Sequence, residues 1–136
     1  MKAVIQRVSK ASVKIEGTLK SDISQGLLIL LGIEDLDNQL DAFWLAKKIS
    51  QLRIFSDNSG AMNHSILDVD GEIIVVSQFT LYAKTKKGNR PSYIKASKPE
   101  RDIPLYKDFL NALEVELGKA VQTGEFGANM QVTLCN

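Results

Sequence analysis

The run from Ile73 to Tyr82 constrains the fold of this chain more than any other stretch. It opens with four β-branched residues in succession, the composition of a strand that is buried on both faces. Ser77, Gln78 and Thr80 follow, and burying such side chains is costly unless each finds a hydrogen-bond partner. We interpret the run as a core strand that ends in a functional site. The alternative is that these polar groups only satisfy neighbouring backbone at the strand end.

Side-chain alternation makes a specific prediction for the polar end of this run. If the strand continues to Tyr82, Gln78 and Thr80 share one face, whereas Ser77 and Phe79 share the other.

A small inventory of reactive side chains limits the chemistry of the chain. Its 136 residues, 44% hydrophobic and 24% charged, fit one soluble globular domain over residues 1–136. With one His and one Cys, no multi-His or multi-Cys zinc site can form within the chain. Any His base would have to be His64, which we interpret as a solvated residue of a turn-rich loop. We expect no metal and no other cofactor.

Targeting signals and membrane spans are not apparent in the sequence. The first residues lack the long apolar region of a signal peptide, and no run approaches the length of a membrane span. We therefore expect a cytoplasmic protein with no membrane partner.

Hydrophobic periodicity predicts seven or eight strands and two helices. The nine candidate segments for these strands are residues 2–9, 12–16, 18–23, 26–33, 53–55, 66–69, 73–82, 121–127, which ends in a turn, and 130–135. Asp37 is the expected N-cap of a helix from about Asn38 to Leu52, and a second helix begins near Pro99 and ends at Gly118.

Tight turns between successive strands indicate the fold class. Gly17 marks one hairpin, and Asp70-Gly71 predicts a second, between residues 66–69 and 73–82. The prediction is an α+β domain whose curved, mostly antiparallel, barrel-like sheet is covered by two helices.

Positive charge is concentrated in one segment beside the polar strand end. From Lys84 to Arg101 there are seven basic residues and one acidic residue, a net charge of +6; the remaining chain carries 10 basic and 15 acidic residues, net −5. We interpret the segment as a contact for a nucleic-acid phosphate backbone, made by Lys84, Lys86, Lys87 and Arg90. The alternative is a solubilising loop. Tyr93, within it, either stacks on a base or belongs to the core.

Several motifs, in order along the whole chain, resemble the D-aminoacyl-tRNA deacylase family. The central one is Ser77-Gln78-Phe79-Thr80-Leu81. The others are Ala3-Val4-Ile5-Gln6-Arg7-Val8, Arg53-Ile54-Phe55-Ser56-Asp57, then Gly60, Met62 and Asn63, then Gly88 and Arg90-Pro91-Ser92, and finally Thr123-Gly124, Phe126 and Met130-Gln131-Val132.

The resemblance implies hydrolysis of the ester that joins a D-amino acid to the acceptor end of tRNA, with glycyl esters also cleaved. It further implies a homodimer that binds no DNA. In this family the 2′-hydroxyl of the terminal adenosine assists the reaction, and backbone N–H groups near Phe79 and Thr80 stabilise the oxyanion. This agrees with the absence of a convincing protein base. A second interpretation makes Thr80 the nucleophile.

Residue roles follow from the same resemblance. Ser77, Gln78, Phe79 and Thr80 are expected to position the ester and stabilise the oxyanion. The residues expected to bind substrate are Arg7, Pro91, Ser92, Phe126 and Met130, with Phe126 and Met130 in the adenine pocket. Arg7 resembles the residue that supports a Gly-Pro segment contributed by the neighbouring subunit.

The family pattern continues beyond Asn136 with that Gly-Pro segment, which excludes L-aminoacyl groups, and this sequence contains no Gly-Pro pair. The chain is either shortened relative to the family or lacks this gate, so its stereoselectivity stays open. Two other function classes also stay open: a non-catalytic RNA-binding module, and an acyl hydrolase that uses Thr80 on a small metabolite.

Overall fold

Nine strands, two α-helices and one 3₁₀ helix make up the fold in a computed structural model that describes all 136 residues. In chain order the elements are β1 (Lys2–Val8), β2 (Lys10–Ile15), β3 (Thr18–Ile23), β4 (Gly26–Gly32), α1 (Gln39–Gln51), β5 (Phe55–Ser56), β6 (Met62–His64), β7 (Glu72–Ser77), the 3₁₀ helix (Phe79–Tyr82), α2 (Pro99–Leu117), β8 (Gln122–Thr123) and β9 (Met130–Cys135).

The strands form three sheets, with orders β1-β4-β7-β8, β3-β2-β9 and β5-β6. Four of the six strand pairings are antiparallel; β4–β7 and β7–β8 are parallel. The predicted α+β class with mostly antiparallel sheets and two helices is therefore confirmed. The sheets do not close into a barrel.

The four-stranded sheet is covered on both faces, which explains the continuous apolar runs of β4 and β7. One face packs against the two helices, and Ile29 of β4, Ile49 of α1 and Phe109 of α2 are all fully buried in the same cluster. The other face packs against the three-stranded sheet through a second cluster that includes Leu28 and Ile74. Alternate side chains of one strand thus enter different cores.

The hairpin predicted at Asp70-Gly71 is wrong. Residues 66–70 form turns, in which the Gly71 N–H donates to the Ile66 carbonyl at 3.0 Å, and β7 pairs with β4 in parallel. A Cβ on Gly71 would lie 2.4 Å from Cδ1 of the buried Ile66. The glycine therefore permits close packing here, and the long-range pairing with β4 overrides the local turn signal.

The strand predicted to run to Tyr82 is also too long. β7 ends at Ser77, and the chain then turns into the 3₁₀ helix. Gln78 and Thr80 are neighbours as predicted, but they meet across this turn rather than by alternation along a strand.

The ends of α2 lie where the sequence predicted them, whereas the N-cap of α1 needs one correction. Asn38, not Asp37, is the N-cap of α1, and it forms a capping box with Asp41. Asp37 is buried, and its carboxylate instead accepts hydrogen bonds from the Met1 ammonium group and from the Glu34 N–H. The predicted start of α2 at Pro99 and its end at Gly118, where φ is 68°, are confirmed.

The structure also corrects the predictions for the strand at residues 53–55 and for His64. The strand expected at residues 53–55 is reduced to Phe55–Ser56. His64 lies in β6, paired with Phe55, rather than in an irregular loop.

Neither α-helix has an apolar stretch that is long enough to cross a membrane.

The substitution Gly26→Ala tests the parallel pairing of β4 with β7. A Cβ at this position would lie 1.8 Å from the Glu72 carbonyl oxygen, so Gly26→Ala must push the two strands apart. We expect the free energy of unfolding to fall by at least about 2 kcal/mol in urea titrations. Ser24→Ala, at an exposed position two residues earlier, is the control. Equal stability of the two variants would contradict the close contact.

Candidate active site

A cavity of about 420 Å³ lies where β7 ends. It is bounded by the last residues of β7 and the start of the 3₁₀ helix, by the start of α2 and by the segment that leads into β9. Its lining residues are Leu31, Ile33, Val76, Ser77, Gln78, Phe79, Pro99, Asp102, Phe126, Gly127, Ala128, Met130 and Val132. Five residues that the sequence predicted for the site are among them: Ser77, Gln78, Phe79, Phe126 and Met130.

The parallel pairing with β4 fixes the polar end of β7. Ser77 is in register with Leu31, and the Gln78 N–H donates to the Leu31 carbonyl at 2.7 Å. Gln78 then leaves the strand conformation, with φ −143° and ψ 80°, and the Leu81 N–H donates to its carbonyl at 3.2 Å. The side-chain amide of Gln78 donates to Thr80 Oγ1. Thr80 itself does not line the cavity.

Two backbone donors remain free at this turn. Phe79 and Thr80 are the first residues of the 3₁₀ helix, and neither N–H has a hydrogen-bond partner within the chain. The first N–H groups of a helix have no acceptor within it. Unpaired donors of this kind suit an oxyanion that forms during acyl transfer.

Hydrogen bonds to β7 also hold the part of the cavity wall that contains Phe126. Tyr106 Oη and the Gly124 N–H both donate to the Val75 carbonyl, at 2.9 and 3.0 Å. Burial raises the pKa of the Tyr106 hydroxyl, which keeps it a donor. Its ring meets Phe126 edge to face, with centroids 6.3 Å apart. These contacts fix α2 and the segment carrying Phe126 against β7.

Gly124 makes room for a second residue of this wall. A Cβ there would lie 2.3 Å from the sulfur atom of Met130, so glycine allows Met130 to approach the strand. Phe126 and Met130 therefore both contribute to the apolar lining of the cavity. Their role in an adenine pocket stays a prediction.

The basic segment is exposed beside the cavity. Lys84, Lys86, Lys87 and Arg90 are all exposed, and none of them forms an ion pair. Lys84 and Ser92 exchange two backbone hydrogen bonds, at 2.8 and 3.0 Å, which closes the segment into a loop.

Tyr93 connects this loop to the cavity. Its ring meets that of Phe79 edge to face, with centroids 5.2 Å apart, and the two side chains are 37% and 53% exposed. Tyr93 is thus not a core residue, and an exposed aromatic pair lies between the basic loop and the cavity.

Besides Thr80, three predicted site residues lie outside the cavity. Pro91 and Ser92 are exposed on the basic loop. Arg7 lies on a separate cavity of about 340 Å³ that also includes Asn136, and its guanidinium group donates to the Ile54 carbonyl at 2.6 Å.

Asp102 is the one ionisable residue of the cavity wall, and the sequence did not predict it as a site residue. It is 4% exposed, and its Oδ1 atom is enclosed without a hydrogen-bond partner. In the sequence it is simply an acidic residue in the first turn of a helix, where acids are common. Only the packing of α2 against the sheet places it at the cavity.

A family model described as D-Tyr-tRNA(Tyr) deacylase matches residues 4–136. The chain belongs to this family. A protein of Flavobacterium psychrophilum named D-aminoacyl-tRNA deacylase is 65% identical over 136 residues, which cover 100% of this chain and 91% of the relative. A protein of Parabacteroides distasonis with the same name is 61% identical over the same shares of both chains.

Solved structures agree with this fold. One named c-Myc DNA Unwinding Element Binding Protein has a TM-score of 0.91 and 41% identity, covering 100% of this chain and 92% of its own. Another, named as a probable eukaryotic D-amino acid tRNA deacylase, has a TM-score of 0.81 over 97% of this chain and 91% of its own. At 15% identity, this second likeness shows the fold alone.

Asp102 is expected to reduce stability at neutral pH. Burial, opposed by the neighbouring Ser97 hydroxyl and reinforced by Asp35 and Asp37, raises the pKa of its carboxyl group above the ordinary 3.8. Because the folded state then holds this proton to higher pH than the unfolded state, stability falls as pH rises above about 4. Asp102→Asn removes this titration, so its Tm should exceed that of the wild type by more at pH 7 than at pH 4. Thermal melts at both pH values check this, and a larger difference at pH 4 would contradict it.

Proposed function

We propose that the protein hydrolyses the ester bond of D-aminoacyl-tRNA and releases the free D-amino acid and tRNA. One observation carries the proposal: a cavity beside the two free backbone donors at the end of β7 occurs in a chain that belongs to the D-Tyr-tRNA(Tyr) deacylase family. Glycyl esters fit the same chemistry, since their acyl group is smaller. Residues 1–136 form the single domain that carries this activity, and its place of action is the cytoplasm.

The cavity and its surroundings suit the two parts of this substrate. The exposed basic side chains of Lys84, Lys86, Lys87 and Arg90 attract the phosphate backbone near the acceptor end. Phe126 and Met130 offer an apolar wall for the terminal adenine, and the aromatic pair of Phe79 and Tyr93 lies between these two regions.

The chemical step needs an activated water and stabilisation of a tetrahedral oxyanion. Water adds to the ester carbon, the bond to the ribose oxygen breaks, and that oxygen takes up a proton. The N–H groups of Phe79 and Thr80 stabilise the oxyanion, while Ser77 and Gln78 position the ester. No His, Cys or Lys lines the cavity. As the family resemblance implies, the 2′-hydroxyl of the terminal ribose takes part in moving the proton.

A homodimer forms part of the proposal, as the family resemblance implies. The exposed side chains of Val4 on β1 and of Val132 and Leu134 on β9 are 46%, 38% and 39% accessible in the single chain. Apolar side chains of this kind suit an interface with a second copy.

The test compares D-aminoacyl-tRNA carrying a 2′-hydroxyl on its terminal ribose with the same ester on a 2′-deoxy terminus. We expect multiple turnovers on the first substrate and binding without turnover on the second, followed as release of labelled amino acid. L-aminoacyl-tRNA is the stereochemical control, and a chain extended by a Gly-Pro segment is assayed in parallel. Full turnover on the 2′-deoxy substrate would disprove RNA-assisted catalysis. Salt-sensitive tRNA binding by both chains without any hydrolysis would favour the RNA-binding module.

Thr80→Val separates the two interpretations of Thr80. The hydroxyl accepts a hydrogen bond from Gln78 and does not line the cavity, so we expect kcat to stay within about tenfold of the wild type. Thr18→Val, at an exposed position on β3, is the matched control. A loss of three or more decades, roughly 4 kcal/mol of barrier, with tRNA binding intact would instead make Thr80 the nucleophile.

A further inference from the structure

Asp102 is an enclosed carboxyl group whose one neighbouring donor is the Ser97 hydroxyl, which lowers its pKa against the effect of burial. It is 4% exposed, and no hydrogen bond from the chain reaches its enclosed Oδ1 atom. The Ser97 hydroxyl beside it is also buried, and neither of these two atoms has a partner within hydrogen-bond distance. The backbone N–H of Asp102 donates to the Lys98 carbonyl at 2.9 Å, so the helix itself is intact here. The unsatisfied groups therefore belong to the side chains, at the wall of the cavity.

No cation of the chain compensates this carboxyl group. The two ion pairs in the structure join Met1 to Asp37 and Lys119 to Asp70. The charges that act on Asp102 come from Asp35 and Asp37, and both are negative. Burying an acid without a cation or a full set of hydrogen bonds is costly, and such groups occur most often at functional sites.

The residues that line the cavity indicate which kind of chemical group can bind to Asp102. Asp102 is the only charged side chain among the lining residues, most of which are hydrophobic. A carboxylate in such surroundings repels phosphate and favours a cationic hydrogen-bond donor. In an aminoacyl-tRNA the cation is the α-ammonium group, which lies one carbon away from the scissile carbonyl.

We propose that Asp102 binds the α-ammonium group of the aminoacyl moiety and thereby positions the ester carbonyl at the N–H groups of Phe79 and Thr80. This inference rests on the proposed function and assigns the site one more binding residue. The contact supplies the hydrogen bonds that the carboxyl group lacks in the free protein. An acyl group without a free amine leaves the buried carboxyl group unpaired, which penalises that substrate.

The experiment pairs two substrates with three proteins. The substrates are D-aminoacyl-tRNA and the corresponding D-2-hydroxyacyl-tRNA, in which a hydroxyl of similar size replaces the amine. The proteins are the wild type, Asp102→Asn, and Asp108→Asn as a matched control on the same helix. Asp108 lies outside the cavity, where it accepts a hydrogen bond from Gln39 at 3.2 Å.

We expect Asp102→Asn to lower kcat/KM for the aminoacyl ester by roughly tenfold or more, and to change it by less than about threefold for the hydroxyacyl ester. Asp108→Asn should leave both values close to the wild type. The selective loss is a readout that a merely structural role would not produce, and melting curves verify that each variant is folded.

Two other results would overturn the inference. Equal losses on both esters would place Asp102 in the chemical step or in folding, and unchanged values on both would show that it does not contact the amine. If the wild type cleaves neither ester, the proposed function fails and this inference fails with it. These outcomes differ in the wild-type measurement, so the two failures can be told apart.

Discussion

The parallel pairing of β7 with β4 positions both the core and the candidate site. At one end, Gly26 lies so close to the Glu72 carbonyl that no side chain fits between the strands. At the other end, Ser77 is in register with Leu31, and the Gln78 N–H completes the ladder. Because β7 stops there, the next two N–H groups are left free. The strand pairing thus determines where these two free donors lie.

The second wall of the site depends on the same strand. The Val75 carbonyl accepts hydrogen bonds from Tyr106 on α2 and from Gly124, which precedes Phe126. One buried strand therefore positions both the polar donors and the apolar wall. Charge is separated along the same surface, since the exposed loop beside the cavity is basic and the cavity itself contains one acid, Asp102. This arrangement suits a substrate whose RNA part is anionic and whose acyl part carries a cation.

Local signals in the sequence predicted many elements correctly. The hairpin about Gly17 forms as predicted, with φ of 50° at Glu16 and 79° at Gly17. Pro99 and Gly118 bound α2 because a proline suits the first helical position and a glycine the left-handed end. These features depend on a few neighbouring residues, so periodicity and turn chemistry are sufficient to find them. The same local reasoning failed at Asp70-Gly71, where a pairing distant in sequence determines the backbone.

Residue order alone predicts the fold class, the family resemblance and the polar side chains that follow the core of β7. It also determined the basic segment and the scarcity of His and Cys. Three features become visible only in the packed chain: β7 ends at Ser77, Arg7 and Thr80 do not line the main cavity, and Asp102 does. Each of these depends on how elements far apart in the chain pack together, and side-chain burial is a property of that packing rather than of any local pattern.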